Sequence, residues 1–151
     1  MQKFKTPISL YKLKKIPTTL PKVKIKDSNQ ASRFGRELYK EHDDDLEVTE
    51  CCYMVMLNKH NNTIGYVKLS EGGVDSTIID KILVSKYAVD ALASGVILFH
   101  NHPSGSTQPS ESDLRITMEV KRCLELFNIS LIDHIILTRL NYKSMSEDGC
   151  L

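Results

Sequence analysis

A short apolar run that ends in two closely spaced histidines constrains this chain more than any other feature. Residues 95–99 read Gly-Val-Ile-Leu-Phe, the pattern of a strand buried on both faces of an α/β sheet. His100 and His102 follow directly. Side chains two residues apart on an extended chain point to the same side. The pattern therefore predicts that both imidazoles approach one metal ion where a central strand leaves the core.

A turn-rich loop and the start of a helix follow the histidines. Residues 103–109 contain Pro, Gly and Ser, and residues 110–113 open a segment whose apolar residues recur at roughly helical spacing. Asp113 then lies in the first helical turn. Two imidazoles and a carboxylate form a ligand set that zinc accepts, with a fourth position left for water. Ser110 and Asp113 also match a helix capping box, and a capping Ser110 can still face the site.

Hydrolysis at such a site requires a general base as well as the metal. Bound zinc lowers the pKa of water from about 15.7 to about 7, but a side chain must still take the proton. Glu50 directly precedes the apolar run 51–57 and can stand at a strand terminus beside the histidines. Glu41 and Glu47 are rivals on sequence alone.

The spacing of these residues resembles the JAMM (MPN+/JAB) metalloprotease motif, and the string His-Asn-His-Pro-Ser-Gly resembles its RadC-like branch. Seven residues separate His102 from Ser110, two more precede Asp113, and the similarity spans about residues 46–151. The RadC-like pattern also favours Glu50, because it places a glutamate eight residues before an aspartate or asparagine, here Asn58.

The resemblance implies a role for each matching residue. His100, His102 and Asp113 would bind one zinc ion per chain. Glu50 would activate the water, and Ser110 would hydrogen-bond that water or the developing oxyanion. The implied activity is hydrolysis of a peptide or isopeptide bond in a peptide or protein substrate.

Two departures from the RadC-like pattern limit this transfer. Residues 80–82 read Asp-Lys-Ile where RadC-like sequences usually carry His-Pro-Arg. A length of 151 residues also leaves no room for their usual N-terminal helix-hairpin-helix region, so we expect the catalytic module alone.

The mixture of helical and strand patterns predicts a single α/β domain with helices flanking one mixed sheet. By resemblance this is the JAB/MPN-like (cytidine-deaminase-like) fold. We divide the chain into a basic extension with a helix, residues 1–45, and the metalloprotease domain, residues 46–151. The predicted helices are 28–39, 81–93 (capped by Asp80) and 111–127, and the predicted strands are 50–58, 64–70, one near Val74, 95–100 and 131–138.

Charge is distributed unevenly along the chain. Residues 1–26 hold eight lysines and no acidic residue, which leaves twelve basic against nineteen acidic residues, a net charge of −7, for the remainder. The basic tail either attracts phosphate backbones, as in a repair or recombination protein, or packs as an edge strand protected by its lysines. The two alternatives stay open at the level of sequence.

Cellular location is indicated by what the sequence lacks. Lysines and prolines interrupt the first apolar residues, so we expect no secretory signal, and no apolar run reaches the roughly 18 residues of a membrane span. The four cysteines form no Cys-x-x-Cys pair, which favours cytosolic thiols and a cytoplasmic protein. We expect the adjacent Cys51 and Cys52 to be buried and structural.

One further histidine has several interpretations. His134 follows Asp133 within an apolar run, so it invites a second metal site or a Ser/His/Asp arrangement. A core histidine that supports the site fits the apolar surroundings better. The sequence thus favours a zinc hydrolase, with a nucleic-acid-binding protein and a structural zinc protein as alternatives, and leaves the oligomeric state open.

Overall fold

Three helices and five strands alternate along residues 8–72 and 79–151, the parts of the chain described by the computed structural model. The predicted strand near Val74 lies outside these residues. In chain order the elements are α1 (Ser28–Glu41), β1 (Cys51–Leu57), β2 (Thr63–Glu71), α2 (Lys81–Asp90), β3 (Gly95–Asn101), α3 (Glu111–Glu125), β4 (Ser130–Leu137) and β5 (Tyr142–Ser144).

The five strands form one mixed sheet in the order β2-β1-β3-β4-β5. β3 and β4 run parallel, and the other neighbouring pairs are antiparallel. The parallel pair is joined by α3, as a parallel crossover requires. β1 and β3 are central and buried along their whole length, which explains their unbroken apolar sequences. The predicted α/β fold with a mixed sheet is confirmed.

Alternate residues of β1 face opposite sides of the sheet. Cys52 and Met54 pack into a core with Val84 of α2 and Val120 of α3. Tyr53, between them, belongs to a second core that α1 covers from the other side. The molecule therefore has three layers, and α1, which we assigned to the N-terminal extension, packs on the same sheet as the remaining elements.

Aspartate side chains cap the starts of α1 and α2, and the cap of α2 is the predicted Asp80. The Asp27 carboxylate accepts a hydrogen bond from the Gln30 N–H at 2.7 Å, and that of Asp80 from the Ile82 N–H at 2.8 Å. α2 stops at Asp90, three residues before the predicted end, because Leu92 has a φ of 53°, in the left-handed region. None of the helices among the described residues is long and apolar enough to cross a membrane.

The basic tail differs from the predicted edge strand. Residues 8–22 contain no strand, and Ile8, Tyr11 and Ile16 are exposed. A single antiparallel bridge, Lys24 to Asn62, ties the following segment to the sheet, where Ile25 is buried. The edge-strand prediction is therefore wrong for residues 8–22, because most of their apolar side chains are exposed and only Leu20 packs against a core.

Candidate metal centre

The site lies at the edge of the sheet where β3 ends. Cys52 of β1 pairs with His100 of β3 in antiparallel register. The same register, extended two residues outward, places Glu50 opposite His102, and residues two apart on a strand share a face. Glu50, His100 and His102 are thereby brought to one side of the sheet, the side that α3 covers.

The proposed ligand atoms lie close together. His100 Nε2 and His102 Nε2 are 2.8 Å apart. One ligand atom each from Glu50, His100 and His102 lie within 4.8 Å of one another. Asp113 Oδ1 is 3.5 Å from His100 Nε2, and Asp113 Oδ2 is 3.4 Å from His102 Nε2. Side chains from three separate segments of the sequence thus meet at the two histidines.

The first turn of α3 fixes the Asp113 carboxylate. The Asp113 N–H donates to Ser110 Oγ at 3.0 Å, and the Ser110 N–H donates to Asp113 Oδ2 at 2.7 Å. This is the predicted capping box. Because a hydroxyl accepts and donates at once, Ser110 keeps its own hydrogen for another partner. Its contact with water or an oxyanion stays a prediction.

Charge interactions polarise the site. Hydrogen bonding to Asp113 raises the pKa of His102, although partial burial works in the opposite direction. Burial by itself would raise the pKa of the Asp113 carboxyl, but its close contacts with the His100 and His102 rings and a hydrogen bond from the Ser110 backbone lower that pKa well below its usual range. Asp113 is therefore an anion that faces two imidazoles.

The residues present fit a divalent metal ion such as zinc. The Ser106 carbonyl oxygen can only accept a hydrogen bond, so His102 Nδ1, 2.9 Å from it, must carry the hydrogen. In the neutral ring the lone pair is then on Nε2, which faces His100 Nε2 and Asp113. Imidazole nitrogens combined with a carboxylate are ligands that zinc prefers. The chemistry of the donors thus fits a divalent metal ion.

Comparison with known proteins agrees with this geometry. Residues 25–150 match the family described as RadC-like JAB domain. The chain belongs to this family. Similar proteins, each named UPF0758 protein, occur in Flavobacterium johnsoniae (39% identical over 97 residues, 64% of this chain and 42% of that protein), Thermotoga maritima (40% over 100 residues, 66% and 45%) and Streptococcus sanguinis (32% over 118 residues, 78% and 51%). The RadC-like JAB domain therefore spans about half the length of the relatives it matches.

Asn101 is a buried residue of this JAB domain that the sequence did not single out. Its Oδ1 accepts from the Cys51 N–H at 2.8 Å, and its Nδ2 donates to the carbonyl oxygens of Leu46 and Thr49 at 3.0 and 2.9 Å. These bonds hold the segment that carries Glu50. The sequence did contain one signal: Asn101 is a polar residue between two histidines. Because side chains alternate along a strand, it lies on the opposite, apolar face of the sheet.

Neither rival glutamate is grouped with His100 and His102, although Glu47 lines a cavity that also reaches His102. Glu41 accepts a hydrogen bond from the Thr19 N–H at 3.3 Å. Glu47 forms an ion pair with Arg139 at 3.4 Å. Of the three glutamates that the sequence offered, Glu50 is the one grouped with His100 and His102.

His134 is a core histidine in direct contact with the site. It is fully buried, and its Nε2 lies 2.7 Å from His100 Nδ1. The neighbouring Asp133 carboxylate instead accepts from the Ser144 hydroxyl at 2.6 Å and the Ser146 N–H at 3.0 Å. The Ser/His/Asp arrangement is therefore wrong, because the Asp133 carboxylate is engaged by β5 and the residues that follow it.

The adjacent cysteines are structural, as predicted. Both are buried, and burial raises the pKa of the Cys52 thiol, which keeps it protonated. Cys51 also lies near Asp44 and Glu71, a second group with metal-binding atoms. Lys68 Nζ already bridges those carboxylates at 3.0 and 2.8 Å, so an ion pair accounts for this group.

A cavity of about 390 Å³ adjoins the centre. Its walls are the loop after His102 and the connection between β4 and β5, which includes Arg139 and Leu140. His102 is the one residue of the centre that lines it. The cavity therefore borders the centre on the side of His102.

Proposed function

We propose that this RadC-like JAB domain is a zinc-dependent hydrolase that cleaves a peptide or isopeptide bond. One observation carries the proposal: Glu50, His100 and His102 group their ligand atoms within 4.8 Å, and both Asp113 oxygens approach the two imidazoles. Structural zinc sites are usually closed by four protein ligands, whereas catalytic sites combine three with a general base nearby. His100, His102 and Asp113 supply the three ligands, and Glu50 the base.

Each residue of the site has a task in this proposal. Zinc held by these side chains would lower the pKa of a water molecule to about 7 and polarise a substrate carbonyl. Glu50 accepts the proton of the attacking water at a carboxylate oxygen and passes it to the leaving amine. Ser110 donates its hydroxyl hydrogen to the developing oxyanion. The cavity beside His102 holds the chain on one side of the scissile bond.

Substitution of the base tests the proposal. We expect Glu50→Gln to retain about one zinc ion per chain and to lose general-base catalysis, typically a factor of about 10² to 10⁴ in rate. Zinc is measured by elemental analysis, and turnover by comparing the cleavage products that the wild type and the variant generate from a whole proteome.

The rival glutamate provides a matched control. Glu41→Gln removes the carboxylate of a rival glutamate that bonds Thr19 and does not line the cavity beside His102, and it should retain both zinc and turnover. His102→Ala should lose the zinc. A His102→Ala protein with full zinc content, or a Glu50→Gln protein with wild-type turnover, would refute the assignment.

We also propose that the basic tail binds nucleic-acid phosphates. The observation in its favour is that residues 8–22 run exposed along the surface, outside the sheet, with Lys12, Lys14, Lys15 and Lys22 all exposed. Lysines in such a segment attract phosphate independently of nucleotide sequence. This binding is separate from the metal chemistry and does not require Glu50.

A further inference from the structure

A chain of hydrogen bonds runs from the backbone of α3 through the core to the back of His100. The Thr117 hydroxyl oxygen lies 2.5 Å from the Asp113 carbonyl oxygen and 2.6 Å from His134 Nδ1. His134 Nε2 lies 2.7 Å from His100 Nδ1. Thr117 and His134 are completely buried and His100 is 2% exposed, so these groups must satisfy one another without solvent.

The Asp113 carbonyl fixes the direction of the first bond. A carbonyl oxygen only accepts, so at 2.5 Å the single hydrogen of the Thr117 hydroxyl must lie between the two oxygens. Met145 Sδ, 3.8 Å away, is a weak alternative acceptor on another side. In either case the Thr117 oxygen is left as an acceptor toward His134. His134 Nδ1 therefore carries the hydrogen of that bond.

The hydrogen on His134 Nδ1 in turn decides which atom donates between His134 and His100. A neutral imidazole with its hydrogen on Nδ1 has a lone pair on Nε2. His134 Nε2 is thus an acceptor, and His100 Nδ1 must donate to it. The lone pair of His100 is thereby placed on Nε2, the atom that faces His102 Nε2 at 2.8 Å and Asp113 Oδ1 at 3.5 Å.

We propose that Thr117 and His134 are positioning residues that hold His100 in the tautomer able to bind a metal ion. The starting point of the chain is the main-chain carbonyl of Asp113, whose carboxylate faces the same site. One residue of α3 therefore both contributes a proposed ligand and sets the tautomer of another. This inference rests on the proposed metal site, and it assigns to the buried pair a task beyond packing.

Substitution at Thr117 tests the chain without touching a ligand. Thr117→Val preserves the shape and removes the hydroxyl, so His134 Nδ1 loses its acceptor. Nothing then holds the hydrogen on that atom, and His100 can adopt either tautomer. Thr117→Ser retains the hydroxyl. We expect Thr117→Val to weaken Zn²⁺ binding by about 10- to 100-fold, as loss of a supporting hydrogen bond does elsewhere. Thr117→Ser should bind like the wild type.

The measurement is the Zn²⁺ dissociation constant of the full chain by competition with a chelator, with thermal unfolding to verify the fold of each variant. If wild type, Thr117→Val and Thr117→Ser bind Zn²⁺ equally tightly, the positioning role is refuted while the metal site stands. If the wild type binds no Zn²⁺, the proposed function fails instead.

The tautomer of His100 in the metal-free wild type is a second test, which needs neither a variant nor bound zinc. At about pH 8, above the ordinary histidine pKa of about 6.5, imidazole ¹⁵N spectra distinguish the nitrogen that carries hydrogen from the one that does not. We expect hydrogen on Nδ1 of both His100 and His134. A His100 ring whose Nδ1 carries no hydrogen would overturn the inference, whatever the outcome for the variants.

Discussion

At the scale of single residues, His134 links the stability of the metal-free protein to pH. Burial lowers the pKa of this imidazole well below its ordinary value, and the nearby His100 lowers it further. The unfolded chain takes up the proton below about pH 6.5, whereas the folded chain does not. The unfolded state then binds more protons, so stability falls as the pH falls through 6.5, by up to about 1.4 kcal/mol per pH unit.

The contribution of His102 to the pH dependence of stability has the opposite sign, since the pKa of His102 is raised in the folded protein, chiefly by Asp113. Its contribution is present below the unfolded pKa and disappears as the pH rises. The effect of His134 is therefore isolated by comparing the wild type with His134→Gln. We expect the denaturant-unfolding free energy of the chelator-treated wild type to fall more steeply between about pH 7 and pH 5 than that of the variant. Parallel profiles would show that His134 does not titrate differently on folding.

At the scale of elements, the contact between α1 and the sheet depends on a glycine. A β-carbon added at Gly35 would lie 2.5 Å from Cδ1 and 2.7 Å from Cε1 of the Phe99 ring, which is fully buried on β3. Overpacking of this kind costs about 1–3 kcal/mol, while alanine gains roughly 1 kcal/mol over glycine in a helix. We expect Gly35→Ala to reduce the free energy of unfolding by about 1–2 kcal/mol.

Chemical denaturation measures this effect, and an exposed position on the same helix provides the control. Glu37→Ala and Glu37→Gly differ only in helix propensity, because Glu37 faces solvent. Alanine should be the more stable residue at position 37 and the less stable one at position 35. A stabilised Gly35→Ala protein would mean that α1 moves away from Phe99 at little cost.

The elements also differ in how far the sequence determined them. The long periodic or apolar segments were predicted to within a few residues, because hydrophobic pattern and capping residues such as Asp80 act locally. β5 was missed because three residues, Tyr142–Ser144, are too few to display a period of two. The end of α2 was placed too late because the positive φ of Leu92 has no strong sequence signal.

At the scale of the whole molecule, the proposed ligands and the residues that support them were not equally predictable. His100 and His102 are neighbours in sequence, and Asp113 follows at a recognisable spacing. The contact of His134 with His100 depends instead on the parallel register of β4 against β3, in which Leu98 pairs with His134. Thr117 contacts His134 because α3 packs on that sheet. Such long-range pairings are set by the assembled fold, and no local pattern predicts them.

The exposed part of the tail can be deleted to separate the two proposed activities, DNA binding and zinc-dependent hydrolysis. Thr19 donates to Glu41 of α1, Leu20 packs against the core that α1 covers, and Val23 N–H donates to Thr63 Oγ1 at 3.0 Å. Deleting residues 1–17 removes five of the eight N-terminal lysines and spares these contacts.

We expect the full chain to bind double-stranded DNA in a gel shift at low salt, with an affinity that falls steeply as salt is added, because each lysine–phosphate contact releases about 0.9 counterions. The shortened protein should bind far more weakly and with a flatter salt dependence, while its zinc content and turnover match those of the full chain. Glu50→Gln is the converse control, since it should bind DNA like the wild type. DNA binding that survives the deletion unchanged would place the phosphate contacts on the remaining chain, against the net charge of −4 from its fifteen basic and nineteen acidic residues, and the tail would lose its proposed role.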